Sequence, residues 1–516
     1  MNSAFRTALA HIVLLTTFLG ACGLTGGVSA QPSDVGAASS AIDGNLCAPL
    51  TISLERNNDM SIVAKVHAQE YMQNQCVRAT NKRITLSTDR GTISRVEQLP
   101  NGVFKAVITP EKQKTGEYRI TASMKPNLKT SVTAVVLEKV NSRWGQPMAV
   151  PGLVNTPGWE DSPFISPDGQ YLFIMYMPVS GSCVLEQKQH RASCFKNSGP
   201  IDETSRPGLA SRFGKKRFAA DNRIIHRCPG VGDIYSEAFL KKYSVIIPPM
   251  ISYGFKRRPD GSFGAPFPIT VEGVSACVSP SGLDVHIDRQ GRATAVMGLV
   301  DPASWNTDVK DDYPSLYTAQ IELNKPNAMA IWDKHSKKLK PTTKGLKLLF
   351  GTAMKERQDN PHTVVNPKTG KIEAVFWDSE HDEPDIFYRL LEPNGIFPDG
   401  PWGPVMKTPV FSSFFRREFQ PFFDGSVLTI TTGRQIASRD FYGTNFRELA
   451  KSRKWGKERI ELALSENLKG NENNLLHGIG EPTYATIGGK KHLYFAYLKR
   501  NNNGLLDFNI GFVREK

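Results

Sequence analysis

Five carboxylates recur at comparable places in the larger part of this chain: Asp161, Asp284, Asp359, Glu418 and Glu481. Each precedes a Gly-containing turn, and each turn leads into a short apolar run. Carboxylates gathered at one point suit glycoside hydrolysis, which needs two carboxyl groups across the scissile bond. One acts as base or nucleophile, and the other, with a raised pKa, protonates the leaving oxygen. Crowding supplies that raised pKa, because like charges resist ionising together. On this reading Asp161 with Glu418 or Glu481 would be catalytic, and Asp284, Asp359, Trp159 and Trp377 would bind, the indoles stacking on sugar rings. The competing reading is structural. Acids at strand starts also accept backbone N–H groups of a neighbouring strand, and an aromatic between sheets is core. His286 and His362 lie near repeated acids but lack a spaced third ligand, so no metal is expected. No cofactor is expected either: there is no Gly-x-Ser-x-Gly elbow, phosphate-binding loop, dinucleotide fingerprint or His-Glu-x-x-His.

The elements that must position these acids form a repeat. Asp161-Ser-Pro163 leads through Ser166-Pro-Asp-Gly169 to Tyr171–Tyr176, and Asp284 through Asp288-Arg-Gln-Gly291 to Ala293–Met297. Asp359-Asn-Pro361 leads to Asn366–Gly370 and Ile372–Trp377, Glu418 through Asp424-Gly425 to Val427–Ile430, and Glu481-Pro482 through Gly488-Gly489 to Leu493–Tyr497. A third strand follows each copy, marked by Asp233-Ile-Tyr235, Asp312–Tyr317, Asp385-Ile-Phe387, Asp440-Phe-Tyr442 and Asp507-Phe508. Small antiparallel sheets of this length cannot bury their faces alone, so five of them closing into a β-propeller are expected over residues 144–516. A basic insertion at about 178–230 (Arg212, Lys215, Lys216, Arg217, Arg223, Arg227) lengthens the first copy.

The run Asp161–Tyr171 (DSPFISPDGQY) resembles the repeat of TolB-like, WD40-like propellers, and that resemblance implies an interaction platform. The acid-at-strand-start layout also resembles five-bladed glycosidases of the arabinanase and fructosidase type. That resemblance implies Asp161 as base and Asp284 as auxiliary acid. The family's acid is a Glu in the third blade, where this chain has Asp359, so Glu418 or Glu481 would have to replace it.

Residues 47–140 read as a separate all-β module. Alternation at Ile84 and Leu86, at Phe104, Ala106 and Ile108, and at Tyr118, Ile120 and Ala122 buries one face of each strand. The segments RITLSTDRGTIS (83–94), NGVFKAVITP (101–110) and GEYRITAS (116–123) resemble bacterial Ig-like domains of the invasin/intimin type, which implies a β-sandwich acting as spacer or adhesive module. The expected fold is therefore all-β, an Ig-like β-sandwich followed by a five-bladed β-propeller.

The N-terminus reads as an export signal over residues 1–21: Arg6, an apolar stretch from Ile12 to Gly20, then Leu19-Gly20-Ala21-Cys22, which resembles a bacterial lipobox. That implies acylation of Cys22, a flexible tether over 22–46 and an outer-membrane lipoprotein, since Gly23 rather than Asp follows the cysteine. Val28-Ser29-Ala30 offers an alternative cut that would leave a soluble secreted or periplasmic protein. Cys47, Cys76, Cys183, Cys194, Cys228 and Cys277 then remain, an even number that suits disulfides in an oxidising compartment. The net charge of +14 favours acidic partners. Nucleic acid is not expected, for there is no zinc-finger spacing, basic helix or aromatic RNA-binding signature. The expected partners are the membrane, through the anchor, and a glycan or an envelope protein. The leading expectation is a non-enzymatic binding or scaffolding module, and the alternative is a glycoside hydrolase.

Overall fold

The computed structural model describes residues 50–72, 75–79, 83–111, 114–124, 128–156, 158–177, 181, 227–228, 232–233, 251–272, 279–300, 315–333, 338–341, 345–351, 358–379, 385–408, 419–432, 436–442, 446, 456–464, 475–500 and 504–516. Nearly all regular structure among them is β-strand. The chain divides into two compact units, Leu14–Gln113 with Tyr118–Ala134, and Lys114–Glu117 with Val135–Lys516.

In the first of these, Leu50–Arg56, Ile62–Met72 and Phe104–Thr109 pair antiparallel, with Ile62 opposite both Arg56 and Ile108. Ile84–Thr88 pairs with Gly116–Met124. Burial alternates along Phe104–Thr109 and Ile84–Thr88, so each strand presents one apolar face inward.

Among the described residues the larger unit holds five successive sheets, antiparallel except that in the first Phe263–Glu272 pairs parallel with Asn327–Asp333. The first runs Trp159–Ile165, Tyr171–Met177, Ile251–Arg257, Phe263–Glu272, and the second Ser279–Ile287, Ala293–Val300, Ser315–Ile321, Lys347–Leu348. The third comprises Asp359–Val365, Ile372–Ser379 and Asp385–Ile396 with Gly400–Trp402 and Met406–Lys407. Gln420–Phe423, Val427–Thr432, Ile436–Tyr442 and Arg459–Ala463 make the fourth, and Leu476–Ile487, Lys490–Arg500 and Leu506–Arg514 the fifth. The leading strands of successive sheets are neighbours, and the fifth returns to the first. That is a closed ring of five blades, a β-propeller.

The ring closes because its strands are apolar on both faces. Leu172, Phe173, Ile174, Met175 and Tyr176 are all buried in one strand, which a sheet with one wet face would not allow. Each seam between blades has its own core. Ile165, Leu172 and Ile174 meet Tyr494, Ala496 and Ile510 between the first and fifth, and Phe164 and Phe173 meet Leu283 and Val285 between first and second. Val296 and Leu316 meet Val375 and Trp377, Val364 and Phe376 meet Phe423 and Ile430, and Phe422 and Ile436 meet Tyr484 and Phe495. Two short strands that precede the first blade complete the last two. Lys139–Val140 pairs with Leu462 and Ala463, and Met148–Ala149 with Gly511 and Phe512.

Candidate functional site

The leading strands share one irregularity. The ladder to the second strand slips between Asp161 and Phe164, Pro280 and Leu283, Asp359 and His362, and Gly480 and Thr483. Inside each slip one residue has a positive φ: Ser162 (46°), Gly282 (91°), Asn360 (43°) and Glu481 (50°). A β-bulge re-aims side chains and bends its strand. For a non-Gly residue the left-handed conformation costs about 1–2 kcal/mol, so neighbouring contacts must hold it. Six residues after each bulge residue the chain turns. Asp168, Asp288 and Asn366 there accept the N–H two residues on, at 3.0, 2.9 and 3.0 Å.

This register corrects the sequence alignment of the acids. Asp161 and Asp359 lie just before the bulge, and Glu481 lies within it, level with Ser162. Asp284 lies two residues beyond Gly282, level with Phe164, His362 and Thr483. The repeated acids are therefore not equivalent positions. Glu418 lies outside the described residues, and of Asp359 only the backbone is described.

The described carboxylates go to different seams. Asp284 is fully buried between the second and third blades, where its Oδ2 accepts the N–H (2.5 Å) and hydroxyl (3.0 Å) of Thr363. Burial pushes its carboxyl up to about 7, against the pull of those hydrogen bonds. Glu481 is half-buried between the fifth and first blades. It accepts the Ser162 N–H (2.5 Å) and, more loosely, the Ser162 hydroxyl (3.3 Å). Thr483 repeats the device, its hydroxyl accepting the Ile165 N–H at 3.3 Å. Two of the five acids thus tie blade to blade through backbone, a role that a carboxylate serves well because a charged acceptor makes the stronger bond. Asp161 is half-buried, and its carboxylate takes no hydrogen bond from a described residue. It sits next in sequence to Ser162, and so beside Glu481, where two leading strands come together.

The tryptophans are core rather than platform. Trp159 is 2% exposed and stacks on Phe508, centroids 4.2 Å apart, and Trp377 is fully buried against Phe350 and Phe387. A ring enclosed on both faces has no face left for a sugar. His286 is buried against Phe397, and burial pushes its imidazole down to about 4. Among the described residues no group of three or more His, Cys, Asp or Glu is placed to hold a metal. Cys22, Cys47, Cys183, Cys194 and Cys277 lie outside the described residues, and the side chains of Cys76 and Cys228 do as well.

A second charged cluster was not visible in the sequence, because its members come from distant strands. Glu117 accepts the Tyr497 hydroxyl (2.5 Å) and the Lys499 ammonium (2.8 Å). Asp507 is buried close by, and burial raises its carboxyl well above the ordinary range, with Glu160 and Glu117 adding to the rise and Lys499 opposing it. Glu160 is fully buried and accepts the Thr156 N–H (3.1 Å) and hydroxyl. Burial alone would lower the Lys499 ammonium, but Glu117 and Asp507 hold it above its usual value. Buried at Glu160 and Asp507 and partly open at Glu117 and Lys499, this cluster anchors the first–fifth seam.

No family model matches the chain, and no curated protein does. Solved structures similar in fold include a Hadza microbial sialidase, at 8% identity over 90% of this chain and 65% of that one, with a TM-score of 0.31. They also include an arabinanase of Bacillus subtilis, at 10% identity over 51% of this chain and 85% of that one, with a TM-score of 0.29. A Penicillium chrysogenum α-L-arabinanase complexed with arabinobiose shares 12% identity over 90% of this chain and 97% of that one, with a TM-score of 0.28.

Proposed function

We propose that this protein is a cell-envelope lipoprotein, anchored at Cys22, whose propeller works as a non-enzymatic binding or scaffolding module. The smaller unit would be its Ig-like spacer. The partner, a glycan or an envelope protein, would be received at the mouth formed by the bulged ends of the leading strands. One observation carries this reading: Asp284 and Glu481 are tied to the backbone of the next blade. A carboxylate that holds blades together is restrained from acting as a proton donor or nucleophile. Trp159 and Trp377, enclosed in the core, do not supply a sugar platform.

One observation favours a hydrolase as the second reading: Asp161, unbonded, comes to the same seam as Glu481. A single assay separates the two. Reducing-sugar release is measured on a panel of arabinan, sialylated glycan and envelope polysaccharide, with affinity electrophoresis on the same panel. Retardation without turnover, unchanged by Asp161→Asn, is the expected result. Turnover abolished by Asp161→Asn would overturn the binding reading in favour of the hydrolase.

A further inference from the structure

We propose that the opposite end of the propeller, where the first two strands of each blade turn, docks on an anionic lipid surface with Ile396 as its apolar tip. The docking does not depend on what the other mouth receives.

The turns form one continuous face. Ile487 of the fifth blade packs on Gly169 of the first so closely that a Cβ at Gly169 would lie 2.3 Å from its Cδ1. Lys491 of the fifth reaches Asp424 of the fourth at 3.0 Å. Gly425 lies against Pro367 and Lys368 of the third, and Arg289 of the second donates to the Lys368 carbonyl at 2.6 Å. Arg289, Lys368, Lys371 and Lys490 are exposed on this face. Its acids partly offset them. Asp288 is engaged by Arg292 at 2.7 Å and Asp424 by Lys491, whereas Asp168 and Asp399 are exposed. Lys256 and Arg258, with the exposed Asp260 set against them, add charge at the same end, since Lys256 pairs with Tyr171 just after the first blade's turn.

A hairpin projects from this face. The strand Asp385–Ile396 pairs with its blade neighbour only as far as Leu390, opposite Ala374 near the turn. Beyond that it continues to Ile396 against Gly400–Trp402 alone. The hairpin is held at both ends: next to the tip Phe397 stands edge-on to His286, 5.7 Å between centroids, and at the root Trp402 stands edge-on to Phe350 at 5.3 Å. At the tip Ile396 is 72% exposed, against 36–39% for the other exposed large hydrophobics among the described residues. A stiff apolar tip beside cations matches a charged bilayer, in which headgroups meet the cations and the acyl boundary takes the side chain. One isolated isoleucine is too small an apolar patch to make a protein interface.

The test is co-sedimentation of the full chain carrying Cys22→Ser, so that no acyl chain contributes, with vesicles of phosphatidylcholine alone or mixed with phosphatidylglycerol. Binding should require phosphatidylglycerol and weaken with salt. Ile396→Asp should lower the partition coefficient by roughly tenfold, and Arg289→Glu with Lys368→Glu by at least as much. Asp399→Asn should raise it. Both substituted regions are exposed, and unchanged circular dichroism and urea midpoints would show the fold intact. Equal binding to neutral vesicles, or full binding by intact Ile396→Asp, would overturn the proposal. So would a dimer in sedimentation equilibrium that Ile396→Asp abolishes while vesicles remain unbound, because the tip would then be an interface between copies.

Discussion

Two buried carboxylates, each fully enclosed, show how differently this propeller treats charge. Glu461, in the fourth blade, accepts from Arg143 Nε (3.0 Å) and Nη2 (2.9 Å), Trp144 Nε1 (2.8 Å), Arg459 Nε (2.9 Å) and the Ser438 hydroxyl. Arg143 also lies over the Trp144 ring, and Arg459 passes on to Asp440 at 2.7 Å. Asp284, at the second–third seam, takes its close hydrogen bonds from the N–H and hydroxyl of Thr363, with the Val285 backbone adding a lesser pull. Burial is the same at the two sites, but the supply of donors is not. Where the chain segment before the first blade closes the ring, cationic and neutral donors converge on one carboxylate. Where one threonine serves, the carboxyl sits near neutrality.

The strongest way to break the contrast is Glu461→Ala. It strands the Arg143 guanidinium and an indole N–H and leaves Arg459 to Asp440 alone among the acids, and removing one partner of a buried ion pair costs about 3–5 kcal/mol. Urea unfolding should show a loss of that size, and Lys139–Val140, paired to the same strand, should lose amide-exchange protection first. A loss below about 1 kcal/mol would mean that the hub does not close the ring.

The next test sharpens the other side. Asp284 ionises near 3.8 when unfolded but keeps its proton to about 7 when folded. Between those values the folded state binds more protons, so stability from this group is full at and below pH 4 and is lost as the pH rises to 7. Asp284→Asn keeps an acceptor for Thr363 but cannot titrate. The stability difference between variant and parent should therefore shift in the variant's favour, by on the order of 3 kcal/mol, from pH 4 to pH 8. A flat difference curve would show that Asp284 titrates normally.

His286, two residues away, runs the opposite way. Its imidazole takes a proton near 6.5 unfolded and only near 4 folded, so stability present above pH 6.5 is lost as the pH falls toward 4. His286→Phe keeps a ring against Phe397 and should gain on the order of 2 kcal/mol over the parent at pH 5 relative to pH 8. The two residues thus oppose each other on one strand, and only difference curves, not the parent's own pH profile, resolve them.

The blades were legible because apolar runs separated by Gly turns are local signals, and every seam core is assembled from those runs. The acids were misaligned because the sequence was anchored on acidity rather than on the turn. Ser162, Gly282, Asn360 and Glu481 have nothing chemical in common; what they share is a place six residues before the turn and a positive φ. Counting back from Asp168, Asp288 and Asn366 finds the first three. The hub at Glu461 and the cluster around Lys499 were out of reach, because Arg143 and Glu117 meet their partners only after the ring has closed.

The smallest expected effect tests whether the bulge belongs to the backbone or to the side chain. At Ser162 the Glu481 carboxylate is held mainly by the N–H, which every residue but proline supplies, while the hydroxyl contact at 3.3 Å is weak. Ser162→Gly relieves a left-handed serine but loosens the unfolded chain, and these terms nearly cancel. Unfolding free energy should change by less than about 1 kcal/mol. Ser162→Val keeps the N–H yet forces a β-branched residue to positive φ, which should cost about 1–3 kcal/mol. If glycine proved as damaging as valine, the hydroxyl would be holding the seam. Glu481 would then be recruited by its partner's side chain, and the backbone account of the blade ties would fail at this seam.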